Sequence, residues 1–164
     1  MLREAVRLIM VNDNQILVMS RNKFGSEYFS LVGGGVDAGE TAEQALDREV
    51  REETGLVISD PRLVYIEEAV KPFGTQYIYW SKYPGGEIKL SEDSDEAKID
   101  KLGKNLYKPM WLDIDKLPGS PFLSVELKEH LIKDLAHGFA SHPVRFSSTA
   151  IYETKEEIDR RSHG

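Results

Sequence analysis

The stretch Gly34–Leu56, GGVDAGETAEQALDREVREETGL, constrains this chain more than any other. It starts within a run of three glycines, Gly33 to Gly35, which lets the backbone turn tightly and come close to a ligand. Thr41, with Gln44 three residues on, is a capping-box start for a helix, and Gly55 is a natural stop. The helix between them carries Arg48, Glu49, Glu52 and Glu53, with Glu40 just ahead of it. With Glu49 at zero and about 100° per residue, Glu53 falls near about +40° and Glu52 near about −60°. Three carboxylates therefore share one sector roughly 100° wide.

A charged helix ordinarily turns such a sector to solvent. Here Leu46, at about +60°, and Val50, at about +100°, mark the side that faces a core. Glu49 and Glu53 border that side instead of opposing it, and Ala42 and Ala45 leave space beside them. Carboxylates at a core boundary next to small residues look like the lining of a site. On a solvated helix like-charge neighbours cost only ~0.2–0.5 kcal/mol each. In a cleft of effective dielectric about 20, two charges about 6 Å apart repel by roughly 3 kcal/mol. A divalent cation removes that penalty, and oxygen ligands without Cys or His favour Mg²⁺ or Mn²⁺ over zinc. Clustered carboxylates with such a metal suit a phosphate chain, because the metal neutralises charge and acidifies a bound water. A neighbouring carboxylate can take the proton.

Gly34, Glu40, Arg48-Glu49, Val50, Glu52-Glu53 and Gly55-Leu56 together match every position of the Nudix box, so the chain resembles the Nudix hydrolases. A chance match of the seven fixed letters is on the order of 10⁻⁹ per starting position. The resemblance implies an α/β (α+β) fold, an α/β/α sandwich with a mixed central sheet. It implies hydrolysis of a phosphoanhydride bond in a nucleoside diphosphate linked to another moiety. By position, Glu49, Glu52 and Glu53 would hold the metal, Mg²⁺ or Mn²⁺, with the Gly33 carbonyl adding a ligand. Glu53 or Glu52 would be the base. Arg48 would pair with Glu40 or Glu52 and orient the metal-binding carboxylates. Its i,i+4 spacing to Glu52 is equally that of an ordinary helix salt bridge. Family members often recruit one more acid from a distant loop, for which Glu92 and Glu96 rank first. Val32 stands where many members carry proline.

Beyond the box, Arg21 is placed to hold a phosphate through its planar donor fork, although a surface role fits it equally. Phe24, Tyr28 and Phe73 are candidates to stack on a base or sugar, against ordinary core or rim packing. The four histidines show no ligand spacing. Pro72, sixteen residues after Leu56, hints at ADP-ribose-type substrates, but Val70-Lys71-Pro72-Phe73-Gly74 matches that subfamily poorly and a turn proline accounts for it. An oxidised nucleoside triphosphate stays open as a substrate. A rival reading is a Nudix-fold module that binds a nucleotide without turning it over. Such modules usually lose a box residue, and none is lost here. An RNA-end processing enzyme is a third, for which a basic groove would be needed.

The 164 residues fit one domain, expected over 1–152, followed by a charged tail, 153–164, that frays. Strands are expected over Ala5–Val11 and Gln15–Ser20 as a hairpin, then at Tyr28–Val32, Leu63–Val70, Gln76–Tyr83 and Lys108–Asp113. Arg21–Glu27 and 87–106 read as loops, and Val125–Ala136 as a helix stopped by Gly138. There is no cysteine, which excludes disulfides and thiolate sites and suits a cytoplasmic protein. The N-terminal apolar run is too short for a signal core or a membrane span. A formal net charge of −7 argues against a long nucleic-acid partner, but a small nucleotide-type substrate needs only local cations. The sequence is compatible with a homodimer.

Overall fold

A computed structural model describes residues 3–23, 25–90 and 105–163. Strand β1 (Glu4–Ile9) leads through β2 (Val11–Asn12) and a two-residue turn into β3 (Gln15–Lys23). Asp13 takes the turn's left-handed conformation at φ 52° in the hairpin expected at Asn12-Asp13-Asn14, but only Val11 and Asn12 pair with β3 there, while the rest of the expected strand, β1, pairs with β5 and β7. β4 (Ser26–Ser30) and β5 (Val32–Gly35) follow, then helix α1 (Ala42–Thr54), β6 (Arg62–Ala69), β7 (Gly74–Trp80) and β8 (Asn105–Asp113). A short 3₁₀ turn at Ile114–Lys116 leads to α2 (Val125–His137), β9 (Val144–Ser148) and α3 (Lys155–His163).

Five strands form a mixed sheet in the order β5-β1-β7-β6-β9, with β1 parallel to β7 and β6 parallel to β9. A second, antiparallel sheet is built on β3, which pairs with β2, β4 and β8. Alternation along β1 sends Val6 and Leu8 to one face, where Ala45, Leu46 and Val50 of α1 cover them. Ile9 and Ile78 point the other way, into a cluster closed by Leu127 and Leu131 of α2. The expected α/β/α layering follows from these two apolar stripes.

Both long helices run where the sequence places them. In α1, Thr41 Oγ1 accepts from Gln44 N–H while the Gln44 side chain accepts from Thr41 N–H. Gly55 ends the helix at φ 76°, its N–H donating to the Arg51 carbonyl. Ser124 caps α2 and Gly138 stops it.

Three expectations are corrected and one strand was not foreseen. Arg21–Glu27 is not a loop: β3 continues to Lys23 and turns directly into β4, with Arg21 opposite Tyr28. β3 is paired along its whole length with β8, so its backbone is satisfied whatever its polarity. The glycine run is not a turn but the edge strand β5, in register with β1 from Ala5↔Gly35 to Leu8↔Val32. β9 carries no signal strong enough to be read, because its pairing with β6 is wholly non-local. The tail does not fray but forms α3. Thr154 and Glu157 cap it reciprocally, and Ile158 is buried. Of the loop expected over 87–106, residues 91–104 lie outside the described residues. Among the described residues no helix is long and apolar enough to cross a membrane.

Candidate active site

Helix α1 lies along the glycine edge of the sheet, and this sets the site. A Cβ on Gly34 would stand 2.6–2.7 Å from the carboxylate atoms of Glu49. The missing side chain is therefore the space that Glu49 occupies. One turn on, Glu53 is 2% exposed, and its Oε2 accepts from Gly33 N–H at 2.7 Å. A buried carboxylate is costly unless such donors compensate it. Glu52 is half-exposed. The helix thus sorts its three acids by depth, with Glu53 inside, Glu49 at the boundary and Glu52 at the water.

Arg48 joins them to the loop ahead of the helix. Its guanidinium grips Glu40 with two hydrogen bonds, of 2.7 and 2.8 Å, in the fork geometry that favours Arg over Lys. It also donates to Glu49 Oε1 at 2.9 Å and to the Gly35 carbonyl at 3.1 Å. Glu52 Oε2 stands 3.6 Å away and Asp37 Oδ2 3.4 Å away. The sequence offered Glu40 or Glu52 as its partner, and the structure has both, Glu40 the closer. The Arg48 hydrogen bonds, helped by Asp37 N–H, lower the Glu40 pKa to about 2. The same contact with Glu40 raises that of Arg48.

A cavity of about 920 Å³ opens beside this cluster. Glu49, Glu52, Arg48 and Gly33–Gly35 line one part of it, whereas Glu53 lies behind the wall. Arg7 of β1, Gln76 of β7 and Glu67 of β6 line it from the sheet. Arg21 and Tyr28 reach it from the second sheet. The Arg21 guanidinium sits 4.8 Å over the Tyr107 ring, and its buried Nε has no hydrogen-bond partner. Tyr28 stacks on Tyr152 with ring centres 4.4 Å apart and planes at 12°. Phe73 lines the cavity and is exposed. Phe24, Glu92 and Glu96 lie outside the described residues.

Reading the sequence missed Arg7, Glu67 and Tyr152. Arg7 did leave a signal, a lone charge at an inward position of the otherwise apolar run Ala5–Val11. Glu67 and Tyr152 left none, because what brings them here is the pairing of β6 and the return of the chain's end.

The donor set around α1 suits a hard divalent cation in kind: carboxylate and carbonyl oxygens, held at a space that only glycine leaves. Among the described residues no three of these side chains stand at distances that would grip an ion together. Arg48 already donates to one oxygen of Glu49, and Gly33 N–H to one oxygen of Glu53.

A layered α/β sandwich with a capped acidic helix laid on a glycine edge defines a narrow class of protein. The family model described as the NUDIX domain matches residues 1–135, and this chain belongs to the Nudix family. The family generally uses a divalent metal ion. The chain is 28% identical over 127 residues to the NAD-capped RNA hydrolase NudC of Chromobacterium violaceum, covering 77% of this chain and 43% of that protein. It is 38% identical over 100 residues to the ADP-ribose pyrophosphatase of Methanocaldococcus jannaschii, covering 58% and 59%. The matches thus span about half the length of these relatives. Among solved structures, a MutT NUDIX hydrolase from Burkholderia pseudomallei superimposes with a TM-score of 0.63 at 21% identity, over 81% of this chain and 97% of that one. That last likeness bears on the fold alone.

Proposed function

We propose that this chain hydrolyses a phosphoanhydride bond in a nucleoside diphosphate linked to another moiety, with Mg²⁺ or Mn²⁺ as its metal. The observation that carries the reading is the Arg48 cluster. One guanidinium ties Glu40, Glu49 and the Gly35 carbonyl into a fixed unit at the wall of a cavity large enough for a nucleotide. A helix acid in bulk solvent needs no such anchoring. The names of both relatives fit the substrate class, since ADP-ribose and an NAD cap each contain a diphosphate joining two moieties.

Glu49, Glu52 and Glu53, with the Gly33 carbonyl, would hold the metal. When bound, the metal neutralises charge on the phosphate chain and acidifies a water. Arg48 and Glu40 are positioning residues: they fix the rotamer of Glu49 and limit that of Glu52. Either Glu52 or Glu53 accepts the proton of the attacking water. Glu52, which lines the cavity at its wet end, is the better placed, while Glu53 braces Gly33. Arg21 binds a phosphoryl oxygen and Tyr28 flanks the nucleoside. Glu92 or Glu96 supplies any further acid.

The test is a screen of nucleotide sugars, ADP-ribose, dinucleoside polyphosphates and nucleoside triphosphates with Mg²⁺ and Mn²⁺. Glu52→Gln and Glu53→Gln run alongside. The wild type is expected to release phosphorylated products, and each variant to lose about 10²–10⁴-fold in kcat, the range for removing a general base. Wild-type rates in both variants would sink the assignment. Binding of the same nucleotides without turnover would make the chain a sensor.

A further inference from the structure

Glu67 of β6 is a buried acid that the proposed chemistry leaves idle. It is 5% exposed and lines the cavity from the sheet. Among the described residues no Lys, Arg or His nitrogen stands within 4 Å of it. Its neighbour across the β6–β7 ladder is Gln76, whose carboxamide is already engaged: Oε1 accepts from Arg7 Nε, and Nε2 donates to the Phe73 carbonyl. The hydrogen bond that Glu67 does receive comes from the Ser124 hydroxyl, at the cap of α2. The helix N-terminus favours the negative charge, yet a carboxylate has room for about four donors. Taking one out of water for a single hydroxyl is costly.

Ser30 of β4 is a second idle group. It is 4% exposed, lines the same cavity, and its buried Oγ has no hydrogen-bond partner among the described residues. Buried hydroxyls ordinarily find one. Ser30 stands two residues from Tyr28, so the two share one face of the strand. The segment 121–124 ties this strand to Glu67. Phe29 N–H donates to the Pro121 carbonyl and Leu123 N–H to the Phe29 carbonyl, while the Ser124 hydroxyl reaches Glu67. Leu123 and Leu127 line the cavity beside them. Apolar walls that carry a carboxylate and an unpartnered hydroxyl suit a nucleobase, which has apolar faces and a polar edge, better than a sugar with hydroxyls all round.

The edges of the bases decide which one. Guanine presents two adjacent donors, N1–H and the N2 amine, beside the O6 acceptor. Adenine presents a lone pair where guanine has N1–H, and a carboxylate repels it. Cytosine and uracil each offer one donor group with an acceptor beside it. We infer that Glu67 is a specificity-determining residue that selects guanine, its carboxylate accepting from N1–H and the N2 amine while Ser30 Oγ donates to O6. The inference deepens the hydrolase reading and rests on it for the diphosphate, but selection of the base has a readout that needs no turnover.

Calorimetry of the full chain with GDP, IDP and ADP in excess Mg²⁺ tests it, because IDP lacks only the N2 amine. The wild type is expected to bind GDP at least about tenfold more tightly than IDP, and IDP more tightly than ADP, since each step removes a hydrogen bond to a charged group. Glu67→Gln offers one acceptor and one donor in the same shape. It is expected to lower the ratio of GDP to ADP affinity at least about tenfold without weakening ADP. Ser30→Ala serves if Glu67→Gln does not fold: GDP binding weakens several-fold, while the Tm equals or exceeds that of wild type, because an unsatisfied buried hydroxyl has gone. Equal affinity of the wild type for GDP and ADP, or no binding of any of the three, overturns the inference. So does a Glu67→Gln chain that loses all three nucleotides by one factor, which with a lowered Tm marks an acid that only caps α2. The two readings fail separately. Turnover of GDP-glucose and ADP-glucose with equal kcat/KM would remove the selection and leave the hydrolase. A preference for GDP in a chain that turns over neither sugar nucleotide would leave the selection and remove the hydrolase.

Discussion

Gly33, just before the box, and Gly34, its first residue, do different work, and one added carbon separates them. At Gly34 a Cβ meets the far end of a flexible side chain, the Glu49 carboxylate, at 2.6–2.7 Å. At Gly33 it meets the Val6 backbone carbonyl at 2.0 Å, and the φ of 143° is one that side chains rarely adopt. Glu49 can swing away, but a central strand cannot. Gly34→Ala is therefore expected to keep its Tm within a few degrees and lose about 10–100-fold in activity or metal affinity, as when a ligand's support is removed. Gly33→Ala is expected to lose about 3 kcal/mol or more of stability, because the backbone must move. Thermal melts beside kinetics and metal titration check both. A Gly34→Ala enzyme with full activity would show that the Glu49 position is immaterial.

Among the elements, α1 packs Ala45, Leu46 and Val50 on the sheet but closes both its ends with residues adjacent in sequence, so those ends answer to local changes. Thr41→Ala removes the acceptor for Gln44 N–H, at a cost of about 1 kcal/mol. For a chain of this size that is a fall of roughly 2–4 °C in Tm. Activity well below the melt is expected to be unchanged, because Glu49 and Glu53 are fixed by Arg48 and Gly33 and not by the cap. An unchanged Tm would show that the cap contributes nothing. The same locality explains what could be read beforehand. Thr41, Gln44 and Gly55 announce α1 within one short stretch, and the acidic sector follows from its period. The hairpin at Asp13 is announced in the same way. β5 was misread because Gly33–Gly35 carries the letters of a turn. What makes it a strand is the nearness of β1, whose Val6 carbonyl leaves room only for glycine. Arg21 stays in a strand because β8 arrives from more than eighty residues away to pair with it. Glu67 and Tyr152 were hidden from view for the same reason: each owes its place in the cavity to contacts that no window of sequence contains, whereas the lone charge of Arg7 within Ala5–Val11 stood in plain sight.

At the scale of the whole molecule, the family match stops at residue 135, but the wall of the cavity does not. Ala150, Ile151, Tyr152, Thr154 and Glu157 all line it. This segment is held by the Tyr28–Tyr152 stack, by a 2.9 Å hydrogen bond between Ser26 Oγ and the Tyr152 hydroxyl, and by burial of Ile158. Burying one Ile side chain is worth about 1.5–3 kcal/mol, and an aromatic pair adds about 0.5–1.5 kcal/mol. The ordering entropy of some fifteen residues offsets much of this. Deleting 150–164 is thus expected to cost about 1–3 kcal/mol, less than the 5–15 kcal/mol of an ordinary domain, so the rest of the fold survives. It also leaves Tyr28 without its stacking partner and one side of the cavity open to water, while Arg48 keeps its hydrogen bonds to Glu40, Glu49 and the Gly35 carbonyl. The expected result is a KM raised several-fold or more, with kcat changed by less than that factor. Steady-state kinetics on the truncated chain, with a melt to confirm folding, checks this. Equal losses in kcat and kcat/KM would place the segment in the chemistry itself, and an unchanged KM would make α3 a bystander. The split expected here follows from the layout: the helix edge that holds the acids is built early in the chain, and the wall that meets the rest of the substrate is built last.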